Sequence, residues 1–374
     1  MMPRDQILQW LRETDAARLG PLWRQADETR RRCVGDAVHL RGLIEISNHC
    51  VRRCAYCGLR AGNDRLVRYR MSAEEILECA RQAVAFGYGT LVLQSGEDRG
   101  VAAPWMAALI RRIKAETPLA VTLSLGERDE KELRLWREAG ADRYLLRFET
   151  SNPALYARIH PARAEGAPDR IALLRALRAM GYETGSGVMI GIPGQTHEDL
   201  ANDLEMFKKL DLDMIGVGPF IPHPDTPLGK ASGAAQPPTG SDKSDPSDKS
   251  DGSDESGASG AGGDQAPNTE LMAYKMIALT RLACPYANIP STTALATLNL
   301  AEGRELGLQR GANIVMPNLT PPQYRALYEI YPAKACLRET ADECHRCLSR
   351  RIASIGRRVG AGRGDSPNWG RRTC

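Results

Sequence analysis

Residues 43–57 read LIEISNHCVRRCAYC, a short apolar stretch followed at once by three cysteines in C-x3-C-x2-C spacing. The apolar stretch predicts a buried strand, so Cys50, Cys54 and Cys57 follow the C-terminal end of that strand. Three thiolates at this spacing can hold three irons of a [4Fe–4S] cluster and leave the fourth iron without a protein ligand. Zinc is the alternative, but it usually takes four ligands from paired groups, and His49 is badly placed to be the fourth.

Outward from this stretch, short apolar runs alternate with amphipathic helical stretches, which is the pattern of a parallel α/β fold. The predicted strands are 43–47, 90–94, 120–125, 143–148, 184–190, 214–220, 288–293 and 312–316. The predicted helices between them are 72–86, 102–116, 130–139, 169–180, 198–210, 270–283 and 304–309. Eight strands in regular alternation favour a (β/α)8 TIM-type barrel over an open sheet. Active sites of such barrels lie at the C-terminal ends of the strands, where the cysteines are expected.

This pattern divides the chain into three parts. Residues 1–40 form an N-terminal helical segment with helices near 4–12 and 16–32, residues 41–335 form the barrel, and residues 336–374 form a C-terminal extension. Residues 231–267 contain no large apolar residue and carry a charge of −5, from two Lys against six Asp and one Glu. Such a segment cannot bury apolar area, so it is predicted to be a disordered Ser/Gly/Asp-rich insertion in a surface loop.

Composition excludes several classes of protein. The 50 basic and 46 acidic residues give a net charge of +4, too small a bias to indicate a nucleic acid or membrane partner. No apolar run approaches the roughly 18 residues that a membrane helix needs. The N-terminus has no signal-peptide apolar core, so a cytoplasmic protein is expected. The ten cysteines are therefore not expected to form a disulfide framework.

The cysteine motif, with the aromatic Tyr56 before its last cysteine, resembles that of the radical S-adenosylmethionine (SAM) superfamily. Further stretches narrow the resemblance to the HydE family of [FeFe]-hydrogenase maturases, whereas biotin synthase and many relatives share the cysteines alone. These stretches are SNHC (47–50), CGLR (57–60), LQSGED (93–98), LSLGE (123–127), RYLLRFET (143–150), GIPGQT (191–196) and GPFIPHPDTP (218–227). Together they span most of residues 40–335 apart from the insertion.

The resemblance implies an activity. SAM would chelate the open iron, and its reductive cleavage would yield a 5′-deoxyadenosyl radical. The enzyme would then act in assembling the diiron subcluster of the [FeFe]-hydrogenase H-cluster. A small-molecule or organometallic substrate would lie inside the barrel, and the expected partners are the maturases HydG and HydF and an electron donor.

Several residues are expected to contact SAM. Gln94 and Ser95 end the second strand in a Gly-containing turn, and the resemblance assigns SAM contacts to Glu149 at the end of the fourth strand and to Arg170 at the start of a helix. As single charges, Glu149 and Arg170 could equally be a surface cap and a solvated helix residue. The resemblance places Tyr328 and Ile330 near the adenine and makes Tyr56 part of the cofactor site. His223 faces the cavity or supports its Pro-rich loop; no further catalytic residue is predicted.

A second cysteine group, Cys336, Cys344 and Cys347, has C-x7-C-x2-C spacing beyond the eighth strand. Three thiols suit an auxiliary [2Fe–2S] or [4Fe–4S] cluster, with His345 as a zinc alternative. Members of the HydE family differ in having this triad, so a peripheral role is expected. The Arg-rich tail 350–372 is predicted to be solvated and flexible rather than a partner surface.

Two other functions remain open from the sequence. One is a biotin-synthase-like or amino-acid-mutase radical SAM enzyme that acts on another small substrate. The other is a non-catalytic iron–sulfur scaffold or electron carrier, which would not bind SAM. Replacing Glu149 or Arg170 discriminates them, because only an enzyme would lose SAM affinity.

Overall fold

A sheet of parallel strands organises the chain, in a computed structural model that describes residues 2–162, 169–234, 264–337 and 339–373. The sheet order is β6-β5-β4-β3-β2-β1-β7, and β8 pairs with the start of β1. The strands are β1 (Ala37–Ser47), β2 (Thr90–Ser95), β3 (Ala120–Ser124), β4 (Arg143–Leu145), β5 (Glu183–Ile190), β6 (Met214–Pro219), β7 (Ile314–Val315) and β8 (Arg358–Val359).

Helices follow most of the strands, as the alternation predicts. They are α1 (Arg4–Arg12), α2 (Gly20–Val34), α3 (Ala73–Ala85), α4 (Ala103–Glu116), α5 (Glu130–Glu138), α6 (Pro153–Ile159), α7 (Arg170–Ala179), α8 (His197–Lys209), α9 (Pro227–Ala231), α10 (Glu270–Ala283), α11 (Thr293–Leu298), α12 (Gly303–Gln309), α13 (Pro322–Arg325), α14 (Ala341–Ser354) and α15 (Pro367–Thr373). Within the described residues, no helix is both long enough and apolar enough to cross a membrane.

The sheet closes between β6 and β7 through single bridges instead of a full strand. Met214 pairs with Asn288 and Pro290 pairs with Ile314, both in parallel. The amide of Ile215 donates to the carbonyl of Asn288 at 2.9 Å, which continues the parallel pattern. The predicted strand 288–293 is therefore reduced to bridges, because Pro290 has no N–H to donate to a ladder. The predicted barrel-type α/β fold is confirmed.

The N-terminal helices pack over the barrel. Arg4 of α1 forms ion pairs with Glu198 and Glu205 of α8, at 2.6 and 2.7 Å. The ammonium of Lys275, buried in α10, donates to the carbonyl of Leu11 at 2.5 Å. Because α1 and α2 both cover α10, this helix is buried on nearly every face.

The prediction of a solvated tail over 350–372 is wrong. The carbonyl of Gly364 accepts a hydrogen bond from Arg41 at 2.9 Å, and the amide of Ser366 donates to Glu183 at 3.0 Å. Arg143, with no exposed surface, pairs with Asp365 and Glu183. Charged groups buried at the beginnings of strands need such partners, and the tail supplies them across the N-terminal end of the barrel.

The predicted disordered insertion 231–267 lies largely outside the described residues, which omit 235–263. Its last residues are ordered. Asp264 accepts from Arg12 at 3.1 Å and contacts His197 at 3.0 Å, while Ala266 is fully buried. The described chain resumes at 264, and the end of the predicted insertion docks on α1 and α8.

Candidate active site

The first cysteine triad lies on the loop after β1, at the C-terminal end of the barrel. The amide of Val51 donates to the carbonyl of Glu97 at 3.0 Å, which holds this loop against the turn after β2. A Cβ on Gly96 would lie 2.3 Å from the carbonyl oxygen of His49, so only glycine permits this contact. The Sγ of Cys50 accepts from the amides of Arg52 and Glu97, both at 3.4 Å. Such N–H···S bonds are also found around cluster thiolates, where they influence the reduction potential.

The chemistry of the three thiols fits a metal cluster. Burial raises the pKa of Cys54 to about 12 and raises the pKa of Cys57, and the neighbouring cysteines add to both effects. Metal binding would replace the protons, because the thiolate is the ligand. Among the residues that the structure describes, no three His, Cys, Asp or Glu side chains already share a metal-ligating arrangement.

Glu149 lies where the resemblance places it, just beyond the end of β4. It adopts φ 65°, a left-handed conformation that is costly for a residue other than glycine. Its amide donates to the carbonyl of Gly187 at 3.1 Å, and its carbonyl accepts from Met189 at 3.0 Å. The carboxylate is 6% exposed and accepts hydrogen bonds from Tyr56 at 3.4 Å and from Arg147 at 3.1 Å. Glu149 is thus not a surface cap; its carboxylate faces the cysteine loop.

Arg170 is buried rather than solvated, so it is not an ordinary helix charge. Its Nε donates to Oε1 of Glu127 at 2.7 Å, and its Nη2 lies 2.6 Å from Nε2 of His160. Arg52, from the cysteine loop, contacts the other oxygen of Glu127 at 3.5 Å and also contacts His160. Sequence reasoning missed the roles of Glu127, His160 and Arg52, although Glu127 lies two residues after a predicted strand.

The remaining predicted SAM residues lie at the end of β2 and in the segment after α13. Nε2 of Gln94 donates to the hydroxyl of Tyr328 at 3.2 Å, and burial raises the pKa of Tyr328. The carbonyl of Ile330 accepts from the amide of Gly58 at 3.0 Å, next to Cys57. Ser95 bonds to the carbonyl of Gly96 at 2.6 Å and so stabilises its own turn.

A buried ion pair in the barrel was not predicted. Lys334 pairs with Glu45 of β1, whose other carboxylate oxygen accepts from Asn318 at 3.1 Å. The ammonium of Lys334 lies 5.1 Å from the centre of the Tyr328 ring, within cation–π range. Glu45 was visible as the one charge inside the apolar strand LIEIS, but its partner lies in an irregular segment that carries no pattern.

His223 supports its loop, which is the structural alternative given by the sequence. It is 3% exposed, and its Nδ1 accepts from the amide of Asp225 at 3.1 Å. A Cβ on Gly58 would lie 2.6 Å from its ring, so the His223 loop packs directly against the residue after Cys57.

The second cysteine triad joins α14 to the irregular segment before it. Cys344 and Cys347 lie on α14, and Cys336 has φ 64°. The Cys344 thiol and the Arg304 guanidinium lower the pKa of Cys336, so these groups are neighbours. His345 does not join them. Its ring stacks on Phe86 with centroids 4.7 Å apart, which disfavours the zinc alternative.

A cavity of about 80 Å³ lies inside the barrel. Its walls come from the strands and from the closing segment: Arg41, Val92, Thr122, Leu145, Arg147, Met214, Ile215, Gly216, Asn288, Pro290, Thr292, Ile314 and Met316. These lining residues lie along the strands and the closing segment, and none of them belongs to the cysteine loop.

Comparison with known proteins defines the class. The Radical SAM superfamily model matches residues 44–207, from β1 through most of α8, and this chain is a radical SAM enzyme. The chain is 44% identical over 351 residues to the [FeFe] hydrogenase maturase subunit HydE of Thermotoga maritima, covering 94% of this chain and 88% of that protein. It belongs to the HydE family. Membership in the superfamily implies a [4Fe–4S] cluster and SAM.

More distant relatives agree in fold. A 3-methylornithine synthase of Methanosarcina acetivorans is 27% identical over 304 residues, covering 79% of this chain and 74% of that protein. The crystal structure of methylornithine synthase (PylB) superposes with a TM-score of 0.75 at 24% identity, covering 96% of this chain and 94% of that one. At this identity the structural likeness shows the fold alone.

Proposed function

We propose that Cys50, Cys54 and Cys57 hold the [4Fe–4S] cluster, that SAM binds between them and the end of β4, and that the enzyme acts in the maturation of [FeFe]-hydrogenase. The contact between Tyr56 and Glu149 supports this most directly. It brings the cysteine loop and the carboxylate at the end of β4 together on one side of the barrel.

Held by Cys50, Cys54 and Cys57, a [4Fe–4S] cluster would supply the electron for reductive cleavage of SAM and so give access to radical chemistry. The chain's own residues bind and orient these groups. The amides of Arg52 and Glu97 donate to Cys50. Glu149 accepts hydrogen bonds from the SAM ammonium or ribose hydroxyls, and Arg170 pairs with the SAM carboxylate in a charge-assisted bond.

The other side of the cofactor is proposed to meet Gln94, Ser95, Tyr328 and Ile330. The Gln94–Tyr328 hydrogen bond and the bond from Gly58 to Ile330 hold these residues beside the cysteine loop. In this arrangement Tyr328 and Ile330 offer an apolar surface to the adenine. Ser95 contributes through the turn that it stabilises.

Water exclusion is the second task of the chain, because a carbon radical has to be shielded from side reactions. The barrel wall surrounds the interior cavity, and the segment 363–366 covers the opposite end through Arg41 and Arg143. The substrate is proposed to enter this interior as a small organometallic iron compound.

Action in hydrogenase maturation is inherited from the 44% identity to a maturase over nearly the whole chain. This proposal includes three partners. HydG would be the source of the substrate, HydF would be a later partner, and an external donor would supply electrons. The protein is proposed to work in the cytoplasm, where such a donor and reduced thiols are available.

The second triad is proposed to bind an auxiliary [2Fe–2S] or [4Fe–4S] cluster. Cys336 and Cys344 are neighbours, and Cys347 lies one helical turn beyond Cys344 on α14. The second triad follows β7 and is distant in sequence from Glu149 and Tyr56. Two of its cysteines lie on a separate helix, α14. This position supports a peripheral role.

Electron paramagnetic resonance (EPR) of anaerobically reconstituted, dithionite-reduced protein tests the cofactor site. Adding SAM should shift the [4Fe–4S] signal, and Cys54→Ala should abolish the shifted signal. Cys79→Ala, at a buried thiol on α3, is the matched control and should retain it. A cluster signal indifferent to SAM would favour the electron-carrier alternative.

A maturation assay tests the wider role. Apo-[FeFe]-hydrogenase incubated with this protein, HydG, HydF, SAM and a reductant should gain hydrogen-evolving activity, whereas the Cys54→Ala protein should give none. SAM cleavage with no gain of hydrogenase activity would favour the alternative of a radical enzyme with another organic substrate.

A further inference from the structure

The backbone just beyond Glu149 is held by a buried carboxylate from another helix. The amide of Ser151 donates to Oδ1 of Asp203 at 2.6 Å. Asp203 lies in the middle of α8 and has no exposed surface. The two residues are 52 positions apart, so this bond connects α8 directly to the end of β4.

The bond acts on a backbone that needs support. Glu149 has φ 65°, and β5 fixes its amide and carbonyl through Gly187 and Met189. A left-handed residue other than glycine persists only where the surroundings hold it on both sides. Asp203 provides that support two residues downstream, because a shift of Ser151 would change the direction in which Glu149 leaves the strand.

A neighbouring hydrogen bond also connects this segment to a carboxylate of α8. Nδ2 of Asn152 donates to Oδ1 of Asp199, one helical turn before Asp203 on α8. Asp199 also accepts from the amide of Thr196 and so caps its own helix, whereas Asp203 has no such second task. Two carboxylates of α8 thus face the segment 151–152.

The chemistry of Asp203 is unusual for a residue that only fills space. Burial raises its pKa to about 7; the Ser151 hydroxyl and amide oppose that rise, and the nearby carboxylates of Asp199 and Glu149 add to it. Its Oδ2 has no hydrogen-bond donor within the described part of the chain. A buried carboxylate without a cation is costly, and an apolar side chain would avoid that cost. Accepting the Ser151 amide is the task that an apolar residue could not perform.

We infer that Asp203 is a positioning residue for the SAM site: by holding the Ser151 amide, it fixes the left-handed turn that aims Glu149 at the cofactor. This inference rests on the proposed contact between Glu149 and SAM. Asp203 itself touches neither the cofactor nor the cysteine loop.

The test is SAM affinity of the reconstituted full-length protein, measured by titrating the SAM-dependent EPR shift. Asp203→Ala removes the acceptor, and the dissociation constant should rise about tenfold, as for the loss of one buried hydrogen bond. Asp203→Asn keeps an amide oxygen that accepts from Ser151, so it should stay within about threefold of the original protein. Iron content and the EPR signal without SAM should be unchanged in both variants.

Asp213→Ala is the matched control. Asp213 is another fully buried carboxylate that accepts a backbone amide, that of Thr184 at 2.9 Å, but it lies at the opposite end of the barrel, just before β6. Its loss should lower the melting temperature and leave SAM affinity unchanged. If Asp203→Ala does not fold, Asp203→Thr replaces it, because Thr is close in volume and too short to keep the bond.

Glu149→Ala separates the inference from the proposed function. If Glu149→Ala leaves SAM affinity intact, the assignment of Glu149 itself is wrong. If Glu149→Ala weakens SAM binding while Asp203→Ala and Asp203→Thr do not, Asp203 has no positioning role. Equal losses in Asp203→Asn and Asp203→Ala would also overturn the inference, since the acceptor would then not be what matters.

Discussion

The hydroxyl of Tyr56 donates to Oε1 of Glu149 at 3.4 Å, and this contact joins the residue before Cys57 to the residue at the end of β4. The bond is long; Glu149 is buried and Tyr56 is half-buried. Tyr56 and Glu149 are both candidates for the cofactor site. Their contact shows that these two candidates are neighbours at the C-terminal end of the barrel.

Removal of that hydroxyl should have a small effect. Tyr56→Phe keeps the ring and loses one long hydrogen bond, so the dissociation constant for SAM should rise by about two- to threefold. Iron content should not change. A complete loss of the cluster in Tyr56→Phe would mean that the hydroxyl serves the cysteine loop rather than Glu149.

The Glu45–Lys334 pair should be essential for stability. Lys334→Met leaves Glu45 buried without its cation, which typically costs ~3–5 kcal/mol. The double variant Glu45→Gln, Lys334→Met should recover most of that loss, because no uncompensated charge remains. Melting temperatures of the two variants check this; equal destabilisation of both would contradict it.

The C-terminal tail should also stabilise the barrel. A chain ending at Gly356 loses the groups that bind Arg41, Arg143 and Glu183, and the cost should be on the order of 5 kcal/mol. Arg358→Ala changes the charge of the tail at an exposed residue and should leave the melting temperature unchanged. A truncated chain as stable as the full one would restore the picture of a solvated tail.

A substitution in the second triad should remove the proposed auxiliary cluster and leave the first cluster in place. Cys344→Ala should lower the iron content per chain and remove any signal of an auxiliary cluster. The SAM-dependent shift of the first cluster should remain. Cys284→Ala, outside both triads, should leave the iron content unchanged; an equal iron loss there would point to a general folding defect.

The pH dependence of stability should carry a contribution from Lys275. Burial lowers its pKa from 10.5 to about 8, so between these values the unfolded chain binds more protons than the folded one. The unfolding free energy should therefore rise with pH across that range. Lys275→Met lacks this group. The melting temperature of the original protein minus that of Lys275→Met should increase from pH 8 to pH 10, and a decrease would contradict the assignment.

Much of the fold follows from local pattern. Strand β5 and helix α8 were predicted nearly to the residue, because apolar runs and helical periodicity are local signals. The strand 288–293 was overestimated, since pattern alone does not tell how Pro290 limits pairing. The tail was misjudged for another reason: its partners Arg41, Arg143 and Glu183 are charges within strands, and their need for partners is visible only in three dimensions.

The candidate site, like the fold, was predictable only in part. Gln94 and Glu149 were predicted at strand ends, Tyr56 from the cysteine motif and Tyr328 from the family resemblance. In the structure Tyr56 contacts Glu149 and Gln94 contacts Tyr328. Residues that support them could not be predicted. Glu127, His160, Lys334 and Asp203 act through partners from distant parts of the chain, and nothing in their sequence surroundings marks those partners.

The most direct test of the central claim is formation of 5′-deoxyadenosine from SAM by the anaerobically reconstituted, dithionite-reduced protein, measured by liquid chromatography. The protein with an intact cysteine triad, loaded with its cluster and supplied with SAM, should yield 5′-deoxyadenosine and methionine in equal amounts. The Cys54→Ala protein should yield neither. A fully loaded protein that binds SAM and releases no 5′-deoxyadenosine, with or without the maturation partners, would contradict the assignment of radical chemistry to this site.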